Sequence, residues 1–317
     1  MRVAIIGGSG FIGSVLSKVL ANKKIAFSIL DKNKSSIFPE YWTYCDVTKL
    51  DTLESRLREH DVIINLAAEH KDNVSPSDLY YQVNVDGARN VCCAAEKLGI
   101  NKVIFTSSVA VYGFVDKDTD ETGEFHPFNH YGKSKLEAEQ VYDQWQAASP
   151  TDRVLTTIRP TVVFGEGNRG NVYNLFRQIA SGKFLMIGKG NNPKSMAYVE
   201  NVVAFLTHCL SLSTGRKVFN YVDKPDFDML SLANLVNDSL GKKTNSIKIP
   251  YLLGLSAGYC FDLLANISGK EFPVSSIRVR KFCARTQFSS SSISETGFVA
   301  PVSLHDAVIK TVRHEFS

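Results

Sequence analysis

Apolar residues in the first half of the chain follow two alternating rhythms. Short apolar runs occur at Val3–Ile6 and Ile25–Leu30, and again within Asp61–Leu66, Lys102–Thr106 and Arg153–Ile158. Such runs predict strands buried on both faces. Between them lie helical spacings. Phe11–Leu20 has Ile12, Val15, Leu16 and Val19; Ser77–Leu98 has Tyr80, Ala88, Val91, Ala95 and Leu98; Thr48–Glu59 and Tyr131–Ala148 complete the set. Strand and helix in alternation predict an α/β chain, a doubly wound parallel sheet with right-handed crossovers and helices on both faces.

After Pro160 the rhythm breaks. Loops at Gly165–Asn171 and Gly188–Lys194 alternate with helical stretches near Val172–Ser181, Val199–Leu210 and Met229–Leu240. The pattern divides the chain into a sheet domain at 1–165 and a smaller C-terminal α/β substrate-binding lobe at 166–317. Val199–Leu210 and strand Lys217–Val222 are expected to return to the first domain. The most apolar later stretch, Tyr251–Ile267, is short and carries Asp262 and Asn266. It reads as a packed helix rather than a membrane span.

Composition narrows the class. The 317 residues are 44% hydrophobic and 21% charged, ordinary for a globular enzyme. The net charge of +4 is spread out, apart from a mildly basic stretch at Lys270–Arg285, and makes no case for nucleic acid. Six cysteines (Cys45, Cys92, Cys93, Cys209, Cys260, Cys283) form no CxxC pair and no metal-type spacing. They read as buried thiols of a reducing compartment, and the N-terminus enters a strand at once, without a targeting segment. A cytoplasmic protein without a metal is expected.

The first strand runs directly into Gly7, Gly8, Gly10 and Gly13 and then into helix Phe11–Leu20. Strand, glycine turn and helix are what a dinucleotide pyrophosphate needs: close backbone approach and a helix N-terminus with free N–H groups. The second apolar run ends at Asp31, where an acidic side chain can bind an adenosine ribose hydroxyl. A carboxylate there favours NAD over NADP, although Lys32 and Lys34 follow and could soften repulsion of a 2′-phosphate.

Ligands of open parallel sheets bind at the carboxyl ends of strands. Strand Lys102–Thr106 ends in Ser107-Ser108, and the next helix opens Tyr131-Gly-Lys-Ser-Lys135. Tyr131 and Lys135 lie one turn apart on one helix face. A nearby ammonium and an oxidised nicotinamide ring would both favour the phenolate, making Tyr131 a usable base near neutrality. Ser108 would hold the same substrate oxygen. A YxxxK alone means little, a helix start and a solvated lysine; combined with the glycine turn, Asp31 and a strand-end serine it points to chemistry. Asn171 at a helix start, Lys194 and Arg278 are candidates to meet a substrate diphosphate, with Arg280 and Arg285 hardly distinguishable from Arg278.

These residues give the chain a family resemblance. Gly7-x-x-Gly10-x-x-Gly13, Asp31, Asp46-Val47, Asn65-Leu-Ala-Ala68, Asn84-Val-x-Gly87-x-x-Asn90, Ser107-Ser108-x-x-Val-Tyr-Gly113, Tyr131-x-x-x-Lys135 and Arg159-Pro160 occur in the order found in extended short-chain dehydrogenase/reductases. The chain resembles their nucleotide-sugar epimerase/dehydratase branch, closely in the first half and more loosely in the second. The resemblance implies a Rossmann fold and NAD bound through Gly7, Gly10, Phe11, Ile12, Gly13, Asp31, Asp46, Val47, Leu66, Ala67, Ala68, Tyr131 and Lys135. It also implies a largely structural Asn84, catalysis by Ser108, Tyr131 and Lys135, substrate held by Ser108, Asn171, Lys194 and Arg278, and a homodimer.

Departures from the family pattern refine the expectation. Dehydratases carry Asp-Glu after the catalytic Ser/Thr, where this chain has Val109 and Ala110, which cannot transfer protons. Val162 replaces the Asn of typical 4-epimerases, and Lys194 replaces an Arg, losing the bidentate fork. The leading expectation is a 4-epimerase of a UDP-hexose or UDP-N-acetylhexosamine. The close runner-up is an NAD(P)H-dependent reductase of nucleotide 4-keto-6-deoxy sugars, which Val162 and the segment Asn192–Asn201 favour. A hydroxysteroid- or flavonoid-type reductase and a non-catalytic NAD-binding protein are weaker alternatives, because the diphosphate-directed residues and an intact Ser/Tyr/Lys set speak against them.

Overall fold

The structure is a computed structural model that describes residues 1–317 except 72–73, 116, 244–246, 270–271 and 273–274. Parts of the loop Gly113–Pro127 and of the basic stretch Lys270–Arg285 therefore lie outside the described residues. The first half contains β1 (Arg2–Ile6), α1 (Phe11–Asn22), β2 (Ala26–Asp31), β3 (Trp42–Tyr44), α2 (Leu50–Arg56), β4 (Val62–Asn65), α3 (Asp78–Tyr81), α4 (Gly87–Leu98), β5 (Lys102–Thr106), α5 (His130–Ala147) and β6 (Val154–Pro160). Strand β3 is missing from the sequence reading because Trp-Thr-Tyr carries neither an apolar run nor an alternation. The helix expected at Ser77–Leu98 is there, but Gln82–Asp86 between α3 and α4 winds as a π-turn.

After β6 come β7 (Val162–Phe164), α6 (Asn171–Ala180), β8 (Leu185–Ile187), β9 (Pro193–Tyr198), α7 (Val199–His208), β10 (Arg216–Tyr221), β11 (Asp223–Asp228), α8 (Met229–Ser239), β12 (Ile247–Ile249), α9 (Tyr251–Ser268), α10 (Ser276–Cys283), α11 (Ser291–Ser294) and α12 (Leu304–Phe316). Seven strands form one parallel sheet in the order β10-β6-β5-β4-β1-β2-β3. Strand β10 thus returns to the sheet edge against β6, and α7 packs beside α1. The remaining strands make a three-stranded sheet, β11-β9-β7, and a pair, β12-β8.

Two apolar clusters cover the two faces of the large sheet. One joins Ile5, Leu16, Ile29 and Ile64 to Val203 and Phe205 of α7; the other joins Ile6, Ile63 and Phe105 to Val91, Ala95 and Tyr142 of α4 and α5. These strands are buried on both sides, which explains their unbroken apolar runs. All six cysteines are free thiols, but only Cys45, Cys92 and Cys209 are buried. Cys93 and Cys260 are exposed and Cys283 is half-buried, because α4 turns Cys93 away from the sheet and α9 leaves most of its surface open.

That openness corrects the packed-helix expectation for Tyr251–Ile267. Helix α9 forms, but among its residues only Gly254 and Gly258 are buried. No helix among the described residues is long and apolar enough to cross a membrane.

Candidate active site

The strand order reverses beside β1, with β2 on one side and β4 on the other, so the crevice at their carboxyl ends is the natural ligand site. Gly7 leaves β1 with φ +76°, and a Cβ there would lie 2.6 Å from Ala67 N. At Gly13 a Cβ would meet Gly8 Cα at 2.5 Å, so α1 can start this close to the turn only without side chains. Gly10 is the N-cap of α1 and supplies no side-chain cap. A Cβ on it would meet only Gly7 O, at 3.3 Å, which leaves that side of the turn open. Phe11, Ile12 and Gly13 form the first helical turn behind it.

The other expected cofactor residues lie along the same edge. Asp31 ends β2, and its carboxylate accepts hydrogen bonds from Ser9 N (3.0 Å) and Asn33 N (2.8 Å), fixing it against the glycine turn. Asp46 and Val47 follow β3. The Asp46 carboxylate accepts from Thr48 N at 3.0 Å, and Val47 O accepts from Asn90 Nδ2 at 2.8 Å. Leu66, Ala67 and Ala68 follow β4 and are half-buried. The Asn84 amide bonds Glu69 N (2.8 Å), Glu69 O (3.1 Å) and Ser134 Oγ (2.9 Å), tying the loop after β4 to α5. Across β3, β2, β1, β4 and β5 the sequence-distant candidates thus form one row. That row fits a dinucleotide: a carboxylate for a ribose, an open glycine turn with a helix N-terminus for the pyrophosphate, then small alanines. At its far end Thr106 Oγ1 and Ser107 Oγ are buried with no hydrogen-bond partner among the described residues.

Ser108 stands beyond β5, its Oγ accepting from Ala110 N at 3.1 Å. Asn129 caps α5 by accepting from Gly132 N at 2.9 Å, which sets Tyr131 in the first turn. Burial raises the Tyr131 pKa above the usual phenol value, and the nearby Ser108 hydroxyl lowers it. Lys135, one turn on, is fully buried. Its Nζ donates to Thr106 O at 2.6 Å and lies 4.3 Å from the Phe105 ring centroid. Burial pushes its pKa down to about 7, partly offset by Glu139. The structure therefore brings Ser108 near Tyr131, while Lys135 binds the strand carbonyl behind them.

Behind this helix lies a buried ion pair. Arg159 at the end of β6 grips Glu139 of α5 through two bonds of 2.9 and 2.6 Å, and donates to Tyr112 OH at 2.6 Å. Tyr112 in turn donates to Asn220 Oδ1 at 2.8 Å, so the network links α5, β6, the Ser108 loop and β10.

The second-half candidates are arranged differently. A cavity of about 530 Å³ opens between the Ser108 loop and the C-terminal lobe, lined by Phe114, the loop Ile187–Asn192, Tyr251, Arg280, Cys283 and Ala284. Phe114 stacks on Phe128 with centroids 4.7 Å apart, just before α5, so one cavity wall continues from the segments that carry Ser108 and Tyr131. Asn171 begins α6 and is exposed. Lys194 does not line the cavity. Its Nζ donates to Lys281 O (3.0 Å) and Ala284 O (2.7 Å), capping the C-terminal end of α10, and burial lowers its pKa to about 8. Arg278 is also outside the lining and donates to Phe272 O at 2.9 Å. Arg280, two residues on and so roughly 200° around the helix, takes the cavity side. Lys189 is the other lining cation, and its signal in the sequence is its place in the glycine-bounded loop Gly188-Lys-Gly-Asn-Asn192.

The comparisons agree with this geometry. A family model described as "NAD dependent epimerase/dehydratase family" matches residues 3–221. The chain is 51% identical over 317 residues, 99% of its length and 95% of the relative's, to an N-acetyl-α-D-glucosaminyl-diphospho-ditrans,octacis-undecaprenol 4-epimerase of Escherichia coli O157:H7. It is 25% identical to a UDP-glucose 4-epimerase of Vibrio cholerae, with 98% of this chain and 94% of that one covered. A Thermus thermophilus UDP-glucose 4-epimerase solved with NAD shares the fold, with a TM-score of 0.77 at 20% identity over 99% and 98% of the two chains. With the glycine turn, Asp31 and the Ser108–Tyr131–Lys135 set in the places that turn and strand order dictate, this chain belongs to the NAD dependent epimerase/dehydratase family.

Proposed function

We propose that this enzyme inverts C4 of an N-acetylhexosamine joined through a diphosphate to a polyprenol. The observation that carries the carrier assignment is the 51% identity, over nearly the whole of both chains, to a relative named for that substrate. Identity to the UDP-glucose 4-epimerase is half as great, and UDP-N-acetylhexosamine is the second reading. NAD held along the row from Asp31 and the glycine turn to Lys135 would supply a reversible hydride acceptor. Tyr131 takes the proton from the sugar 4-hydroxyl and later returns it, while Ser108 donates to the same oxygen. Lys135 favours the tyrosinate by its charge. Lys189 and Arg280 suit the diphosphate, a role the sequence reading gave to Lys194 and Arg278; Asn171 remains a candidate at the start of α6.

The division of labour follows the notional boundary at 165, with 199–222 added to the cofactor side. The free cysteines suit the cytoplasm. The family resemblance implies a homodimer through α4 and α5, which pack side by side; light scattering should give twice the chain mass.

Incubation with N-acetylglucosaminyl-diphospho-polyprenol and, separately, UDP-N-acetylglucosamine tests the reading. Mild acid release should yield the 4-epimer from the polyprenol-linked sugar, without net consumption of NADH. Conversion of the UDP-sugar alone would transfer the assignment to the second reading, and no epimer from either, with one NAD(P)H consumed per molecule of a nucleotide 4-keto-6-deoxy sugar supplied instead, would indicate a reductase. Tyr131→Phe should reduce turnover by about 10³-fold while purified protein keeps its NAD; turnover near wild type would remove Tyr131 from the chemistry.

A further inference from the structure

Helix α9 is arranged inside out. A Cβ on Gly254 would lie 2.7 Å from Ile187 Cγ2, and one on Gly258 would lie 2.8 Å from Ser276 Cα. The helix thus rests on β8 and on the start of α10 through its smallest residues. Five large aliphatic ones point away: Leu252, Leu263 and Ile267 are 73%, 61% and 75% exposed, and Leu253 and Leu264 are exposed beside them. At about 100° per residue these five fall within an arc of roughly 120°, with both glycines outside it. No charge interrupts the stripe. Asp262, the helix's one acidic residue, turns aside to accept from Ser276 N at 3.1 Å.

Beside the stripe, α10 contributes exposed Ile277 and two exposed cations, Arg278 and Arg280, with no acidic residue in the helix; Lys281 is half-buried over the Phe128 ring. An apolar face flanked by cations complements an anionic bilayer surface and would repel a second copy of itself. Tyr251 at the start of α9 and Arg280 of α10 also line the cavity, so the face and the cavity mouth adjoin. An 18-residue helix that does not qualify as a span can lie in the interface with its apolar side among acyl chains.

We infer that α9 and the cationic side of α10 form a docking face for an anionic lipid bilayer, holding the cavity mouth at the membrane surface. A polyprenyl chain could then stay in the bilayer while its sugar diphosphate enters the cavity. The benefit of docking rests on the lipid-linked reading above; the docking itself is measured without substrate.

The test is co-sedimentation of the full-length protein with vesicles of phosphatidylglycerol and phosphatidylethanolamine, against vesicles of phosphatidylcholine alone. Wild type should bind the anionic vesicles, and binding should weaken as salt rises. The L252E/L263E/I267E variant should lose at least tenfold in partitioning. It should keep its NAD and its turnover of a water-soluble, short-prenyl diphosphate sugar, which reports an intact fold. Wild type left in the supernatant with anionic vesicles, or a variant that sediments equally, would overturn the proposal. So would a solution mass that halves in the variant, which would assign the stripe to a second copy. Vesicle binding without turnover of any prenyl-linked sugar would uphold the docking face and reject the lipid-linked reading.

Discussion

Lys135 is a buried ammonium whose folded-state pKa, about 7, lies well below its ordinary 10.5. Between those values the unfolded chain binds more protons than the folded one, so this residue makes stability rise with pH across that window. Its penalty is complete below pH 7. A Lys135→Met variant lacks the penalty, so its Tm relative to wild type should be most favourable near pH ~6 and lose that advantage towards pH ~10. Turnover of the same variant should fall at least about 10²-fold. A Tm difference independent of pH would mean that Lys135 is not held as a strained charge. At the other end of the crevice, Asp31 already accepts two backbone amides, which aims its remaining acceptor capacity outward. Asp31→Asn should weaken NAD about 10- to 100-fold, as expected for losing a charged hydrogen bond, and should narrow the preference against NADP. Titration with both cofactors measures this.

At the scale of elements, α5 matters most, because it carries both Tyr131 and Lys135. Its far side is held by the Glu139–Arg159 pair, both partners almost wholly buried. Glu139→Gln leaves the guanidinium without its counter-charge and should cost about 3–5 kcal/mol in denaturant unfolding. An unchanged midpoint would show that the pair does not anchor the helix. Elements also mark where the sequence was legible. The turn after β1 and the four-residue spacing of Tyr131 and Lys135 are local patterns, and local patterns survive folding intact. Lys194 and Arg278 were harder. Lys194, on β9, is turned to the carbonyls at the end of α10, while the rotation of α10 sets Arg280 rather than Arg278 on the cavity side, and no local pattern encodes either arrangement. Helix α9 was read correctly as a helix and wrongly as packed, since apolar content does not say which face is covered. The four-residue spacing of Gly254 and Gly258 was the available signal.

At the scale of the molecule, the parallel sheet gathers residues from five strand ends into one crevice, and the C-terminal lobe adds a cavity that Lys189 and Arg280 line. The row from Asp46 to Ser108 follows strand order rather than chain order, which is why the fold class was readable from alternation while the site had to be assembled. The central claim is transient oxidation at C4, with the proton handled by Tyr131 and the hydride returned to the same carbon. The most direct measurement follows a substrate carrying deuterium at C4 through turnover in ordinary water, with the product examined by NMR. The account predicts that the 4-epimer retains deuterium at C4, with no NADH consumed. Deuterium lost to the solvent would contradict it, because C4 would then have exchanged a proton instead of a hydride.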